Sequence, residues 1–342
     1  MASHEPWPEP YGLHFGHLIL DQALHLTAWP TPGTEVQVRE RHLAVGGSET
    51  NTAIVVARFG YPVRLITRVG TDLAASWLRE RLATVPRLTV AAQVDPQRPT
   101  GTVTLLVGPD GERALLTARG ACDALQAPRL SRAPRYVYVT TYTARPPAVA
   151  RAAQRLIAWA GAEPASQALF IDINADFTPA QRAVVARWLA AWPASKVRVL
   201  IANLEAARAF VAQPQAPPDA VLQALRAHAD VAVLKMGAQG AWLATAERAH
   251  FVPPVPVQPR DTTGAGDAFN AGLLIGWAAG WDWPLAGHVA GLLGALATTV
   301  PAAGLALPGP EAAFAYLDAH PNAWPAPWPA RVRAAMAGLP AR

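Results

Sequence analysis

The 342 residues carry a single cysteine, Cys122. That excludes an internal disulfide and a zinc site made of cysteines alone, and it suits a reducing compartment, so a cytoplasmic location is expected. Lysine is almost missing as well: of the 29 basic residues only Lys196 and Lys235 are not arginine. A nucleic-acid binder needs basic residues clustered with interleaved aromatics. These arginines are scattered, and no nucleic-acid partner is expected. No apolar run reaches membrane-spanning length without a Pro, Arg or polar interruption, so no membrane partner is expected. The first residues lack a basic segment followed by an apolar run, which argues against a secretory signal. Charged residues are sparse too, at 15%. What is abundant is hydrophobic, 51% of the chain, with 33 prolines spread along it. That composition belongs to a folded chain with a large buried core in one domain. The formal charge of +5 suits an anionic ligand.

Residues 1–10 read as an extended tail. The apolar run Leu13–Leu20 ends at Asp21 and predicts a first strand with a carboxylate at its exit. Val36–Val45 alternates apolar and charged residues, as an exposed strand does. Thr52–Phe59 has helical spacing and stops at Gly60, and Val63–Val69 reads as a buried strand. Gly101–Val107 and Arg113–Thr117 flank Gly108-Pro109-Asp110-Gly111, a hairpin signal. Strand-like runs then follow at Tyr136–Thr140, Ala168–Ile173, Val197–Ala202 and Val231–Leu234, separated by Ala- and Arg-rich helical stretches. This rhythm predicts an α/β layered fold on a mostly parallel sheet. The two early antiparallel patches predict a small β appendage, and the segment after Pro321 a short surface helix. His14, His17, His25 and His42 show no helical or hairpin metal spacing and no accompanying carboxylate pair, so they are expected to be structural.

The chemically informative stretch is Asp261-Thr262-Thr263-Gly264-Ala265-Gly266-Asp267-Ala268-Phe269-Asn270-Ala271-Gly272, which leads into the apolar helical run Ala271–Ala279. A glycine-rich turn opening a helix offers free N–H groups and a positive dipole end to an anion, and glycine lets that backbone approach closely. Asp267 in the same turn stands where it could take a proton from a hydroxyl attacking a phosphate. Phosphoryl transfer needs those two parts. A dinucleotide fingerprint would need glycine where Phe269 stands. A Walker A loop would need a lysine after glycine, and neither lysine is so placed.

This string resembles the C-terminal signature of the PfkB/ribokinase family of carbohydrate and nucleoside kinases. Gly46-Gly47-Ser48-Glu49-Thr50-Asn51-Thr52-Ala53, running on to Ala57-Arg58-Phe59-Gly60, is similar to the family's N-terminal signature. The two occur in the family's order, and the resemblance spans roughly Leu13 to Leu305. It implies a Rossmann-like α/β/α sandwich as a single domain over 1–342, with β-lid segments near 34–46 and 99–119. Asp267 matches the catalytic base, and Gly264, Ala265 and Gly266 the anion hole. Asp21, Gly46, Gly47 and Asn51 match acceptor-binding positions. Asn203, Lys235, Gly237, Gly240 and Thr262 match nucleotide-binding positions, and Asp261 lies near a monovalent-cation loop of some members. The implied cofactors are ATP and Mg²⁺, with K⁺ in some members, and the implied partner is a second copy docked through the lid.

Two departures bear on function. Many members carry Asn-x-x-Glu to organise water around Mg²⁺. Here the run is Asn203-Leu204-Glu205-Ala206, with the glutamate one residue early, a shift of about 100° around a helix. Sugar-acid kinases of the family resemble Asp-x-Asn-x-Arg, with the arginine holding the substrate carboxylate. Here the run is Asp172-Ile173-Asn174-Ala175-Asp176, and an acid replaces the cation, which favours a neutral sugar. The expected activity is transfer of the γ-phosphoryl group of ATP to a sugar hydroxyl, in particular a primary one. The alternatives are a nucleoside kinase and a catalytically weak ligand-binding or regulatory protein on the same fold.

Overall fold

In the computed structural model, residues 11–174, 176–301, 303–322 and 324–340 are described; the predicted tail 1–10 lies outside them. Among the described residues thirteen strands form two sheets. The larger contains β1 (Gly12–Phe15), β4 (Val63–Val69), β5 (Leu88–Val94), β8 (Tyr136–Thr140), β9 (Ala168–Ile173), β10 (Val197–Asn203), β11 (Val231–Lys235), β12 (Ala241–Ala244) and β13 (Ala249–Val252). Their order across the sheet is β13-β12-β11-β10-β9-β8-β1-β4-β5. Every pairing is parallel except the two made by β12. The strands β8 and β9 are buried along their whole length. Helices cover both faces of such a sheet, so its strands are continuous apolar runs rather than alternating ones.

Ten helices supply that cover: α1 (Ser48–Arg58), α2 (Leu73–Leu82), α3 (Pro147–Ala162), α4 (Pro179–Ala190), α5 (Leu204–Val211), α6 (Pro218–Arg226), α7 (Ala265–Ala278), α8 (Trp283–Ala297), α9 (Pro310–Ala319) and α10 (Trp328–Ala337). One core cluster joins α1, α2 and α7–α10 to one face of the sheet through residues such as Ile54, Leu78, Leu274 and Leu293. A second joins α3–α6 to the other face through Leu156, Trp188, Phe210 and Leu225. The result is the expected α/β/α sandwich. The helix predicted after Pro321 is α10, and it is anchored rather than superficial, since Val332 and Met336 are buried in the core.

The smaller sheet has the order β3-β2-β6-β7, built from β2 (Ile19–Leu26), β3 (Val38–Gly46), β6 (Gly101–Val107) and β7 (Arg113–Ala118). It contains the segments expected near 34–46 and 99–119, and β2 besides. The run Leu13–Leu20, predicted as one strand, is two. The central sheet takes Gly12–Phe15, the chain turns at Gly16–Leu18, and β2 begins a strand of the other sheet. The turn is fixed by Glu49 of α1: its carboxylate accepts the His17 backbone N–H at 3.0 Å and the Thr140 hydroxyl at 2.7 Å. Burial by itself would push the Glu49 carboxyl up, but the His17 imidazole and these hydrogen bonds hold it below its ordinary value. Asp21 is therefore the third residue of β2, in register with Ala44 and Val103, and not a strand exit. Hydrophobicity could not show this switch, because Leu18 stays fully buried across it.

Candidate active site

The C-terminal ends of parallel strands are where open α/β sheets bind ligands. Here the ends of β9, β10 and β11 bring Asp172, Asn203 and Lys235 to one floor, and the first turn of α7 adds Gly264, Gly266 and Asp267. One face of the smaller sheet stands opposite, and the two enclose a cleft of 1560 Å³. Gly264 is the N-cap of α7 with φ +77°, a left-handed conformation that glycine adopts without strain. Gly264, Gly266 and Asp267 bring this helix start to the wall of the cleft, and an anion is the natural occupant of such a start.

Asp267 lies at the bottom. Its Oδ2 accepts a hydrogen bond from Asn51 Nδ2 at 2.8 Å. Asn51 Oδ1 in turn accepts from the Gly304 N–H at 3.1 Å, so the amide, carried on α1, is clamped between α7 and the segment after α8. Burial raises the Asp267 pKa to about 7. The Asn51 hydrogen bond opposes that rise, the Asp172 charge adds to it, and Lys235 and the Ser48 hydroxyl oppose it. The Lys235 ammonium donates to Asp172 Oδ1 at 3.0 Å and to Asn270 Oδ1 at 3.1 Å. Asn270 Nδ2 donates to the Tyr138 hydroxyl at 3.0 Å, which ties this group to the middle of the sheet. A Cβ added at Gly266 would come within 3.5 Å of Lys235 Nζ, so a positive charge sits directly beside the glycine turn. Cation and helix start together make a floor suited to an anion, with a carboxylate in it.

Across the cleft, burial raises the Asp21 carboxyl to about 7. Among the described residues no side chain or backbone group donates to it. Gly46 lies against it: a side chain at Gly46 would overlap the carboxyl at 2.3 Å. Beside it, Arg119 and Arg145 each stack on the Tyr142 ring, at 5.6 Å to its centroid. Arg145 also forms an ion pair with Asp176. The acidic residue that replaces the family's arginine thus has its own counter-charge.

Of the residues singled out in the sequence, Asp21, Gly47, Asn51, Asn203, Lys235, Asp261, Thr262, Gly264, Gly266 and Asp267 line this one cleft. Ala265 and Gly46 stand just behind its wall. Gly237 and Gly240 form the turn between β11 and β12 and do not line it. Asn203 Oδ1 caps α5 by accepting the Ala206 N–H at 2.7 Å, while Glu205 is exposed and faces away. Asp261 Oδ1 accepts from the Thr263 hydroxyl at 2.7 Å and lies 3.4 Å from Arg113. Sequence reasoning missed Asp172, Asn270, Tyr138 and Arg145. The first two had a signal: Asp172 is the one charged residue of a buried apolar strand, one residue before its end, and Asn270 lies within the glycine-rich string. The four histidines are expected to be structural because their spacing along the chain fits no local metal pattern; sheet register nevertheless brings His25 and His42 together with Glu40. The β2–β3 pairing sets His25 opposite Glu40, with His42 beside them, and the three ligand atoms lie within 4.8 Å of one another.

The sandwich has the ribokinase-like fold. A putative ribokinase II of Escherichia coli, solved in complex with ATP and Mg²⁺, superposes with a TM-score of 0.78 at 18% identity, covering 91% of this chain and all of that one. Residues 13–309 match the pfkB family of carbohydrate kinases, and the chain belongs to that family of phosphotransferases acting on sugars and nucleosides. An uncharacterized sugar kinase of E. coli K12, YegV, is 26% identical over 274 residues, which cover 78% of this chain and 81% of that protein. An ATP-dependent ribose-1-phosphate kinase of Halopiger xanaduensis is 27% identical over 290 residues, covering 83% and 90%.

Proposed function

We propose that the protein transfers the γ-phosphoryl group of ATP to a hydroxyl of a sugar, with Asp267 as general base. The observation that carries this reading is the position of Asp267. It is an ionisable carboxylate in the first turn of an anion-binding helix, oriented by Asn51 and raised by burial to about 7, where a base works best near neutral pH. The acceptor's proton passes to Asp267, its oxygen bonds to the γ-phosphorus, and the bond from that phosphorus to the bridging oxygen breaks as ADP leaves. The N–H groups at the start of α7 and the Lys235 ammonium meet the charge on the transferred group. Asp21, to which no group among the described residues donates, accepts hydrogen bonds from sugar hydroxyls.

Mg²⁺ prefers oxygen donors and usually stays on the nucleotide's phosphates and water with one or two carboxylates. The floor offers carboxylate oxygens from Asp172 and Asp267, a set that fits such an ion, and Asn203 and Glu205 add no carboxylate to it. The ion would neutralise phosphate charge there. Asp261 is the candidate carboxylate for a monovalent cation, although Arg113 already brings a positive charge to it. A pair of subunits joined through the smaller sheet and a cytoplasmic location complete the reading.

For the acceptor, the first reading is a neutral sugar, on the ground that an acid stands where the family's sugar-acid kinases carry arginine. A second reading has its own observation. Asp176 is neutralised by Arg145, and Arg119 stands beside the same tyrosine, so the acceptor end can hold an anion such as a sugar phosphate. An ADP-release assay across neutral sugars, sugar phosphates, sugar acids and nucleosides decides. ADP release with no acceptor in the panel would defeat the kinase reading, and the preferred class separates the two acceptors.

A further inference from the structure

The smaller sheet carries a second constellation that phosphoryl transfer does not use. We propose that His25, Glu40 and His42 form a binding site for a divalent transition-metal ion of the zinc class, clasping β2 to β3. His25 and Glu40 are direct cross-strand partners, and His42 is two residues beyond Glu40, in register with Ala23. Residues two apart on a strand share a face, and directly paired residues hold their Cβ atoms about 4.5–5.5 Å apart. All three side chains therefore rise from one patch of one face, the face that borders the cleft. His42 Nε2 lies 2.9 Å from Glu40 Oε1, and the His25 and His42 rings stand edge to face with centroids 5.8 Å apart. One ligand atom from each lies within 4.8 Å of the others. Zinc binds nitrogen and oxygen donors at about 2.0–2.2 Å, which puts neighbouring donors a little over 3 Å apart. Small rotations of exposed side chains close that difference.

The donor set selects the ion. Two imidazoles and one carboxylate suit Zn²⁺, Co²⁺, Ni²⁺ or Cu²⁺, whereas Mg²⁺ and Ca²⁺ prefer all-oxygen sets. Three protein ligands leave a coordination position open to water or to a ligand in the cleft. The site is separate from the phosphoryl-transfer floor: His25 is four residues beyond Asp21 on the same strand, roughly 13 Å along it. Its structural consequence is local. β3 is an edge strand, exposed from Val38 to Arg41, and its pairing with β2 has an irregularity between His25 and Leu26. A metal bridge at that place would fasten the edge where ladder pairing is weakest. The other close histidine pair, His250 and His288, has Nε2 atoms 3.3 Å apart, but no third ligand residue joins it among the described residues, so it serves as a control.

The experiment is Zn²⁺ titration of the full chain, stripped of metal and free of nucleotide, in competition with a chromophoric chelator. A parallel Co²⁺ titration reads the visible ligand-field bands. We expect one tight equivalent in the wild type. His25→Gln and His42→Gln should each weaken it tenfold or more and remove the cobalt bands, while His250→Gln should leave both unchanged. All three ligand side chains are at least partly exposed, and circular dichroism verifies that the variants fold. Binding that persists undiminished in the His25→Gln/His42→Gln double variant would overturn the proposal, and so would a wild type with no tight equivalent. Neither result touches the kinase reading, since no nucleotide or acceptor is present.

Discussion

The two walls of the cleft are built on opposite terms. On the floor, each polar group is held by another: Asn51 holds Asp267, Lys235 joins Asp172 to Asn270, and Asn270 reaches Tyr138. Asp172, Lys235 and Tyr138 stand on strands of the central sheet, and Asn51, Asp267 and Asn270 on the helices α1 and α7 that pack against it. On the smaller sheet the strands are half exposed, and Asp21 has no donor among the described residues. Both Asp267 and Asp21 are raised to about 7, but Asp21 by burial alone and Asp267 by burial set against partners. A prearranged floor provides fixed electrostatics for a reaction, because its dipoles do not have to reorganise as charge moves. An unpartnered carboxylate on a thin sheet is suited to meeting a ligand that supplies the missing donors.

The comparison breaks most sharply at Asp267. Asp267→Asn keeps the shape and loses the proton acceptor, so kcat should fall about 10²–10⁴-fold while ATP still binds. Wild-type turnover in the Asn variant would remove Asp267 as base. In the wild type, kcat should rise with pH through about 7 and level above it, because only the ionised carboxylate accepts a proton. Stability should move the opposite way. Between the ordinary value of 3.8 and about 7 the native state keeps a proton that the unfolded chain has lost. The native state then binds more protons, so its stability falls as pH rises through that window and stays lower above it. Asn carries no charge to bury. Asp267→Asn should therefore melt above the wild type at pH 8, and the gap should close near pH 4. A gap independent of pH would show that the native carboxyl is not raised.

Asp21 comes next in size. Asp21→Ala removes one or two charge-assisted hydrogen bonds to the acceptor, each worth about 1.5–3 kcal/mol, or roughly 10- to 100-fold in kcat/KM. The loss should fall on the acceptor's KM and spare that of ATP. Because Asp21 is raised without taking part in proton transfer, Asp21→Asn should retain the rise of kcat through about pH 7. If that rise disappears, the two carboxylates have exchanged roles. Unchanged KM values in Asp21→Ala with a lowered melting temperature would make Asp21 a purely structural residue.

The same contrast explains what the sequence revealed. Strands such as Tyr136–Thr140 and Ala168–Ile173 stand in the structure with the predicted bounds, because strands buried on both faces are unbroken apolar runs between helical stretches. The glycine-rich string was legible as a turn opening a helix, since the local chain alone makes that turn, although the helix begins at Ala265, ahead of the apolar run at Ala271, and takes in Asp267. The smaller sheet was less legible. The passage from β1 to β2 changes sheets inside one apolar run. The triad of His25, Glu40 and His42 depends on cross-strand register. The ion pair of Asp176 with Arg145, and the contacts of Lys235 with Asp172 and Asn270, join residues far apart in the chain. Sequence singled out Asp267, Asn51 and Lys235 as candidates on the floor, and tertiary contacts decide which groups surround them.

The smallest effect belongs to Glu205, and it tests whether the displaced glutamate of Asn203-Leu204-Glu205-Ala206 still serves the floor. Asn203 Oδ1 caps α5, and the helix starts directly after it, so the side chain of the next residue but one is set by helical geometry. That geometry turns Glu205 to solvent and puts the buried Ala206 where the family's carboxylate would stand. Exposed substitutions without partners usually change stability by no more than about 0.5 kcal/mol. Glu205→Ala should therefore keep kcat, the KM for ATP and the Mg²⁺ dependence within about twofold of the wild type. A tenfold rise in the Mg²⁺ needed for half-maximal rate would show that Glu205 reaches the metal through water during turnover. The floor would then be less rigid than its hydrogen bonds imply, and its contrast with the smaller sheet would narrow.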